Sequence, residues 1–177
     1  DRAGMQLTLW LDPGRIKRDL QPNQRSGPPL MRGAHYEVVI ADSWPAKDGS
    51  RLRQCYSKKF YTISRDSIRP NPIEWNILAP ARETIEPLRI ELSESLDFVL
   101  LNEGVDIADP IGARVFGKIA VKQEETQFEF TPSAPWQPGN YYINLQGRLE
   151  DVAGNNLNRL FEEDVTMQRR GSEQDTY

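Results

Sequence analysis

Two distant segments of this chain carry the same order of residue types, and this internal repeat restricts the fold more than any other feature. The first copy begins with LTLWLDP (residues 7–13), and the second begins with TQFEFTP (residues 126–132). Each segment alternates apolar and polar side chains, which is the period of a β-strand with one buried face. We therefore predict strands at both places, with Leu7, Leu9 and Leu11 on the buried face of the first and Phe128 and Phe130 on that of the second.

The repeat continues through a glycine, a tyrosine-bearing strand and a second glycine. Residues 30–52 align with residues 135–157 if a single-residue gap is allowed. The second glycine of each copy predicts a turn with positive φ before the last strand. Asp151 is expected to cap the later turn, and Cys55, beyond the earlier turn, to be a small buried hydrophobe. The matched pairs are Gly33 with Gly139, Tyr36 with Tyr142, Gly49 with Gly154, and Leu52 with Leu157.

The second copy contains enough strands for a complete domain. Its alternating segments are separated by Gly, Pro, Asn and Asp turns, while residues 94–101 fit one helical turn or a short crossing segment. Seven short strands within about one hundred residues are typical of an immunoglobulin-like β-sandwich. The predicted strands are 73–78, 87–92, 104–108, 113–122, 126–131, 140–148 and 158–167.

The first copy supplies only the last three strands of such a domain. Three strands cannot form two facing sheets, so apolar faces and an edge would remain uncovered. We expect the missing strands to lie upstream in a longer protein or to come from another chain. The fold class predicted is all-β, with residues 1–66 as the C-terminal half of an immunoglobulin-like domain, 67–168 as a complete one, and 169–177 as a disordered tail.

The charge is divided unevenly between the two copies. Residues 1–66 carry 12 basic and 7 acidic side chains, whereas residues 67–177 carry 10 basic and 19 acidic ones. The basic residues are scattered and lack interleaved aromatics, so we expect solvated charge and no nucleic-acid partner. No apolar run reaches the roughly 18 residues that a membrane-spanning helix needs. The chain opens without an apolar signal region, so we expect any export signal to have been removed.

The second copy resembles the bacterial immunoglobulin-like domain first described in S-layer proteins. That family has a strand ending in Thr-Pro, a Pro-Gly turn, a tyrosine-bearing strand and an Asp-x-Ala-Gly-Asn turn. The corresponding residues here are Thr131-Pro132, Pro138-Gly139, Tyr142 and residues 151–155. An early family segment is matched by residues 92–97, with Ser95 where the family usually has proline. The resemblance covers residues 70–167 well and residues 6–63 in part.

The resemblance implies export to the periplasm, the cell surface or the medium. It also implies a non-catalytic role as a spacer, scaffold or adhesion module that binds protein, although a fold alone never establishes an activity. The expected partner is a protein or an upstream part of the same polypeptide, with strand complementation or dimerisation through residues 1–66. The alternative is a carbohydrate-binding or accessory module of a surface hydrolase. Exposed coplanar tryptophans would favour that alternative, and buried ones the scaffold.

An insertion of 13 residues within residues 14–29 distinguishes the first copy from the second. It is rich in Arg, Lys, Pro and Gly, and loops at one end of a β-sandwich commonly carry recognition. A surface loop without a role is an equally good interpretation. The candidate partner-binding residues are Arg15, Lys17, Arg18 and Arg25 of this insertion, together with Trp10, which alternation places opposite Leu9 and Leu11.

We predict no enzyme activity and no cofactor. His35 is the only histidine, so a two-histidine metal site cannot be built, and a half-exposed strand position is expected for it. The acidic runs at 124–125 and 162–164 are expected on solvated strand edges. No metal site is predicted, although Asp151 and Asn155, with Asp106 or Asp109 nearby, offer oxygen ligands of the type calcium prefers.

Overall fold

The computed structural model of the chain describes residue 9 and residues 11–18, 20–162 and 176–177. It divides the protein into two compact units, Asp1–Asp66 and Ser67–Tyr177. Short antiparallel strands predominate in both units, with a few short helices, so the all-β class is confirmed. Among the described residues there is no helix with the length and apolarity needed to cross a bilayer.

Unit 1 contains two short helices followed by one antiparallel strand pair. Asp12 caps the first helix by accepting a hydrogen bond from the backbone N–H of Gly14 at 2.8 Å. Tyr36 stacks on Phe60 across the strand pair, with the ring centroids 5.6 Å apart. The elements are α1 (Pro13–Ile16), α2 (Gln21–Ser26), β1 (His35–Ile40) and β2 (Tyr56–Tyr61).

Three predictions for unit 1 are wrong. Leu9 and Leu11 are exposed, and the chain enters α1 at Pro13, because the proline ring suits the first turn of a helix. The insertion is not one loop, since it forms α1 and α2. Cys55 is exposed, because it precedes β2 and lies outside the strand pair. Leu7 lies outside the described residues.

Unit 2 contains a four-stranded and a two-stranded antiparallel sheet. The larger sheet has the order β3-β4-β7-β6, and the smaller pairs β5 with β8. A 3₁₀ turn, Pro72–Glu74, precedes the first strand, and α3 precedes β5. The elements are β3 (Asn76–Leu78), β4 (Leu88–Glu91), α3 (Phe98–Glu103), β5 (Val105–Ala108), β6 (Gly117–Lys122), β7 (Gln127–Pro132) and β8 (Tyr142–Leu145).

Both sheets of unit 2 contribute to one apolar core. Ile90 and Phe128 enter it from the larger sheet, Ile107 and Leu145 from the smaller, and Leu101 from α3. Burial alternates along β4 and over the first three residues of β5, as expected when one face of a strand packs inward. By contrast, no apolar side chain among the described residues of unit 1 is buried. Unit 2 therefore holds the hydrophobic core of the described chain.

The predicted strands match the observed ones best in the middle of unit 2. Residues 87–92, 104–108 and 126–131 fall on β4, β5 and β7, and residues 94–101 overlap α3. Predicted strand 73–78 begins instead with the 3₁₀ turn, and predicted strands 113–122 and 140–148 shorten to β6 and β8.

The chain beyond residue 157 departs from the predicted last strand. Residues 158–162 are not a strand, and residues 163–167 lie outside the described residues. Within the segment predicted as a tail, Thr176 and Tyr177 pair antiparallel with Gln146 and Leu145. Residues 169–175 lie outside the described residues. The open side of β8 therefore carries a short strand pairing close to Leu145.

Candidate functional site

The turn after β8 is a closed network of hydrogen bonds. Asp151 Oδ1 accepts from the backbone N–H groups of Ala153 at 2.7 Å and Asn155 at 2.9 Å. Its other oxygen accepts from the Asn155 side-chain amide at 2.8 Å, and Asn155 Oδ1 accepts from the Phe161 N–H at 3.0 Å. Gly154 has a φ of +89°. The predicted capping by Asp151 and the predicted left-handed glycine are both confirmed.

These partners explain why Asp151 and Asn155 are polar and yet buried. Both carboxylate oxygens of Asp151 and the amide group of Asn155 already have protein partners, which a buried polar group requires. Of the two aspartates named with them, Asp106 forms an ion pair with Arg114 at 2.6 Å. Asp109 caps its own turn by accepting from Ile111 and Ala113. Each of these polar groups thus has a structural role.

The turn after β1 has the same backbone hydrogen bonds. Ala46 N–H donates to the carbonyl of Ser50 at 2.8 Å, as Asp151 does to Asn155 at 2.9 Å. Gly49, with a φ of +81°, donates to Ala46. The flanking bridges Pro45–Arg51 and Glu150–Asn156 also correspond at one offset of 105 residues. The two turns are therefore locally the same structure.

The apolar residues beside these two turns have opposite environments. In unit 2, Leu149 and Leu157 flank the turn and are 0% and 5% exposed. At the same offset in unit 1, Trp44 and Leu52 are 59% and 44% exposed. Trp44 and Leu52 adjoin the Pro45–Arg51 bridge, so both lie at the stem of the turn. We call these two residues the unit 1 apolar stem.

A tyrosine in each unit bonds to the backbone just upstream. The Tyr36 hydroxyl accepts from the Met31 N–H at 2.6 Å, and the Tyr141 hydroxyl accepts from the Gln137 N–H at 2.9 Å. Tyr36 thus corresponds to Tyr141 and not to Tyr142, which is exposed, so the single-residue gap precedes Tyr36. His35, for which we expect a half-exposed strand position, is an exposed residue at the start of β1.

The basic residues predicted to bind a partner are spread over α1, α2 and their connection. Arg15 is partly buried and donates to the carbonyl of Gly27 at 3.2 Å. Arg25 lies in the last turn of α2. Lys17 ends α1, Arg18 is exposed, and both have partners within the protein. Trp10 lies outside the described residues.

Two of the three described tryptophans are buried. Trp75 belongs to the core, and so does Trp136, whose indole N–H donates to the carbonyl of Glu86 at 2.8 Å. The Trp136 and Tyr141 rings meet edge to face with centroids 5.0 Å apart. Trp44 is the exposed one. These indoles therefore do not form a coplanar exposed set of the kind that stacks on sugar rings.

An apolar cleft in unit 2 was not predicted. It has a volume of about 710 Å³, and its walls include Ile77, Leu88, Trp136, Tyr141 and Ile143. These residues come from β3, β4, β8 and the segment before β8, so sequence proximity gives no indication of it. The period-two alternation of residues 140–148 was the available signal, because Tyr141 and Ile143 fall on the inner face.

The acidic groups are placed by turns and by cross-strand pairs. Glu124 and Glu125 lie in the turn between β6 and β7 with φ values of +53° and +64°, so the predicted strand-edge position is wrong. Glu162 is a turn residue, and residues 163–164 lie outside the described residues. Glu129 on β7 accepts from Lys122 at 2.6 Å and from Arg89 at 3.0 Å.

Two carboxyl groups of unit 2 have shifted pKa values. The hydrogen bond from Lys122 lowers the pKa of Glu129, and the positive charges of Lys122 and Arg89 add to this effect. Burial raises the pKa of Glu150, and the nearby carboxylates of Asp97 and Asp151 raise it further. Both shifts have causes within the fold of unit 2.

Comparison with protein-family models, curated proteins and solved structures gave no match to this chain.

Proposed function

We propose that this chain is a non-catalytic structural or protein-binding module of an exported bacterial protein. It is built from two immunoglobulin-like units in tandem, the first of them partial. The shared turn, the matching bridges and the two tyrosine hydroxyl bonds support a common plan for the units. Both sheets of unit 2 contribute side chains to a single core, which supports a β-sandwich fold for this unit. Export rests on the resemblance to the bacterial immunoglobulin-like family.

The observation that carries the protein-binding role is the exposed unit 1 apolar stem. The equivalent leucines of unit 2 are buried, whereas Trp44 and Leu52 present apolar surface to solvent. Burying apolar surface is worth roughly 25 cal/mol per Å², so a protein that covers these residues gains free energy. The strand pair of unit 1 also lacks the second sheet that a sandwich needs. The partner is another chain or another part of a longer polypeptide that supplies the missing strands.

A photo-crosslinking amino acid tests this role in the native host. Placed at Trp44, it should form a defined protein adduct in the exported fraction, and Leu52→Asp should remove that adduct by disrupting the stem. The matched control is the same probe at Ile111, an exposed residue of unit 2. Identical adducts from both positions, or none from Trp44, would contradict the proposal.

The carbohydrate alternative is tested separately with insoluble polysaccharides. Because Trp75 and Trp136 are buried, we expect no retention of the 177-residue chain on chitin, cellulose or peptidoglycan. Retention that Trp44→Ala abolishes would assign Trp44 to sugar binding and would replace the protein-binding role. Retention that survives this substitution would also count against the role, since it would require a second binding surface.

A further inference from the structure

The apolar cleft of unit 2 lies beside β8. Trp136 and Tyr141 form one part of its wall, and Ile77, Leu88 and Ile143 form another. A cavity of roughly 150 Å³ already holds one benzene molecule, so about 710 Å³ accommodates several apolar side chains. The cleft is therefore large enough for the inner face of a further strand.

The backbone of β8 is open on the side away from β5. Leu145 directs both its N–H and its C=O to this side and exchanges two hydrogen bonds of 2.8 Å with Tyr177. Alternate residues of a strand direct these groups to the same side, so Ile143 also faces outward. Within the described part of the chain, no partner for the Ile143 backbone is seen. The edge is thus occupied at Leu145 and open at Ile143.

Unit 1 shows the same edge fully paired. There Ile40 pairs with Tyr56, and β2 continues antiparallel along β1 until Tyr61 lies opposite His35. At the 105-residue offset, Ile40 corresponds to Leu145, which pairs with Tyr177. Tyr177 therefore pairs with β8 at the same position at which Tyr56 pairs with β1.

We propose that the open edge of β8 and its cleft accept an antiparallel strand that continues from Tyr177 in the register of β2. In that register, its second residue beyond Tyr177 lies opposite Ile143 and its fourth opposite Tyr141. Side chains that lie opposite each other share one face of a sheet, so the second and fourth residues both face inward. This strand therefore carries apolar residues at these two positions and polar residues between them. Phe60 holds the equivalent of the fourth position in unit 1. The inference rests on the proposed tandem fold, not on the protein-binding role.

Two C-terminal extensions of identical composition test the proposal. The first adds Ser-Val-Lys-Phe-Tyr after Tyr177, which places Val opposite Ile143 and Phe opposite Tyr141. The control adds Val-Ser-Phe-Lys-Tyr, which moves both apolar side chains to the outer face. Amide hydrogen exchange is compared among the two extended chains and the 177-residue chain. We expect the first extension alone to slow exchange of the Ile143 amide by about tenfold and to raise the melting temperature.

Three results would overturn the proposal. Equal effects of both extensions would show that the register of β2 does not apply to β8. No effect of either would show that the edge does not take a strand. Slow exchange at Ile143 in a 177-residue chain that elutes as a dimer would assign the edge to a second copy. The crosslinking experiment at Trp44 concerns unit 1, so failure of either proposal is distinguishable from failure of the other.

Discussion

Gly154 is a residue whose conformation and surroundings both exclude a side chain. Its φ of +89° is one that residues with a Cβ rarely adopt, and an added Cβ would lie 2.8 Å from Cδ2 of Phe161. Gly154→Val should therefore lower the free energy of unfolding by about 1–3 kcal/mol. Gly112 provides the control in the same unit, because its φ is +84° but nothing lies within 4 Å of an added Cβ.

The comparison of these two valine variants separates strain from crowding. Chemical denaturation of unit 2 should show the larger loss for Gly154→Val, since only that variant adds a steric contact to the backbone strain. An equal or larger loss for Gly112→Val would mean that the contact with Phe161 is relieved without cost.

The Asp151–Asn155 pair gives a second prediction at the residue scale. Asp151→Asn brings two amide groups together, and Asn155→Asp brings two carboxylates together, so each should destabilise unit 2 by about 1–3 kcal/mol. The exchanged pair, Asp151→Asn with Asn155→Asp, restores one donor facing one acceptor and keeps the acceptor for the Phe161 N–H. A double-mutant cycle by thermal denaturation should therefore show recovery of most of the loss. Additive losses would contradict the hydrogen-bond assignment.

At the scale of the elements, the outer face of the larger sheet is linked through Glu129. This carboxylate on β7 joins Arg89 of β4 to Lys122 of β6. Because its pKa is lowered from the ordinary 4.5, its contribution is present above pH 4.5 and is lost as pH falls through the folded-state pKa. Glu129→Gln should lower the free energy of unfolding by only about 1 kcal/mol at pH 7, because both partners are half exposed. This loss should become smaller as the pH falls.

The control for Glu129 is Glu91→Gln on the same sheet, where the exposed carboxylate accepts from Asn76. Urea denaturation at pH 7 and pH 3 distinguishes the two positions. If the stability loss caused by Glu129→Gln is as large at pH 3 as at pH 7, packing and not charge accounts for the contribution of Glu129.

The contribution of Glu150 to stability should depend on pH in the opposite direction. Its pKa is raised above 4.5, so above that pH the unfolded chain ionises more readily than the native protein, and stability is lost as pH rises through the folded-state pKa. Glu150→Gln should accordingly raise the melting temperature at pH 7 by roughly 1–4 °C, with no gain below pH 4.5. Glu83→Gln, at an exposed position, is the matched control. An equal gain at both pH values would exclude the electrostatic cause.

The elements that the sequence predicted well are those fixed by local patterning. Phe128 and Phe130 alternate with polar residues and both point into the core from β7, while Asp97 caps α3 by accepting from Leu100 at 2.8 Å. The elements predicted poorly depend on distant residues. Leu9 and Leu11 belong to an equally regular alternation, but both are exposed in the described part of unit 1. Periodicity indicates which face of a strand can be buried, but burial requires a second layer.

The candidate sites were less predictable than the strands. Polar residues of the Asp151 turn stand close in sequence, so their capping followed from turn chemistry. The cleft beside β8 combines Ile77, Leu88 and Tyr141, whose proximity comes from strand order alone. The exposed stem of unit 1 became evident only because the same turn in unit 2 has buried neighbours.

At the scale of the whole molecule, the two units share the same local turn but differ in whether the residues beside it are covered. Unit 2 has two sheets and a core, whereas unit 1 has one strand pair and no buried apolar side chain among its described residues. A small unit without a core is marginal by itself. This difference is the physical basis for the proposed protein-binding role of the first unit and for the strand site of the second.

The common plan is tested most directly by cross-strand nuclear Overhauser effects in the 177-residue chain. We predict amide contacts between Leu145 and Tyr177 that reproduce those between Ile40 and Tyr56. Contacts at Ile40–Tyr56 alone, with Leu145 adjacent to a different residue, would contradict the shared register on which the tandem description depends.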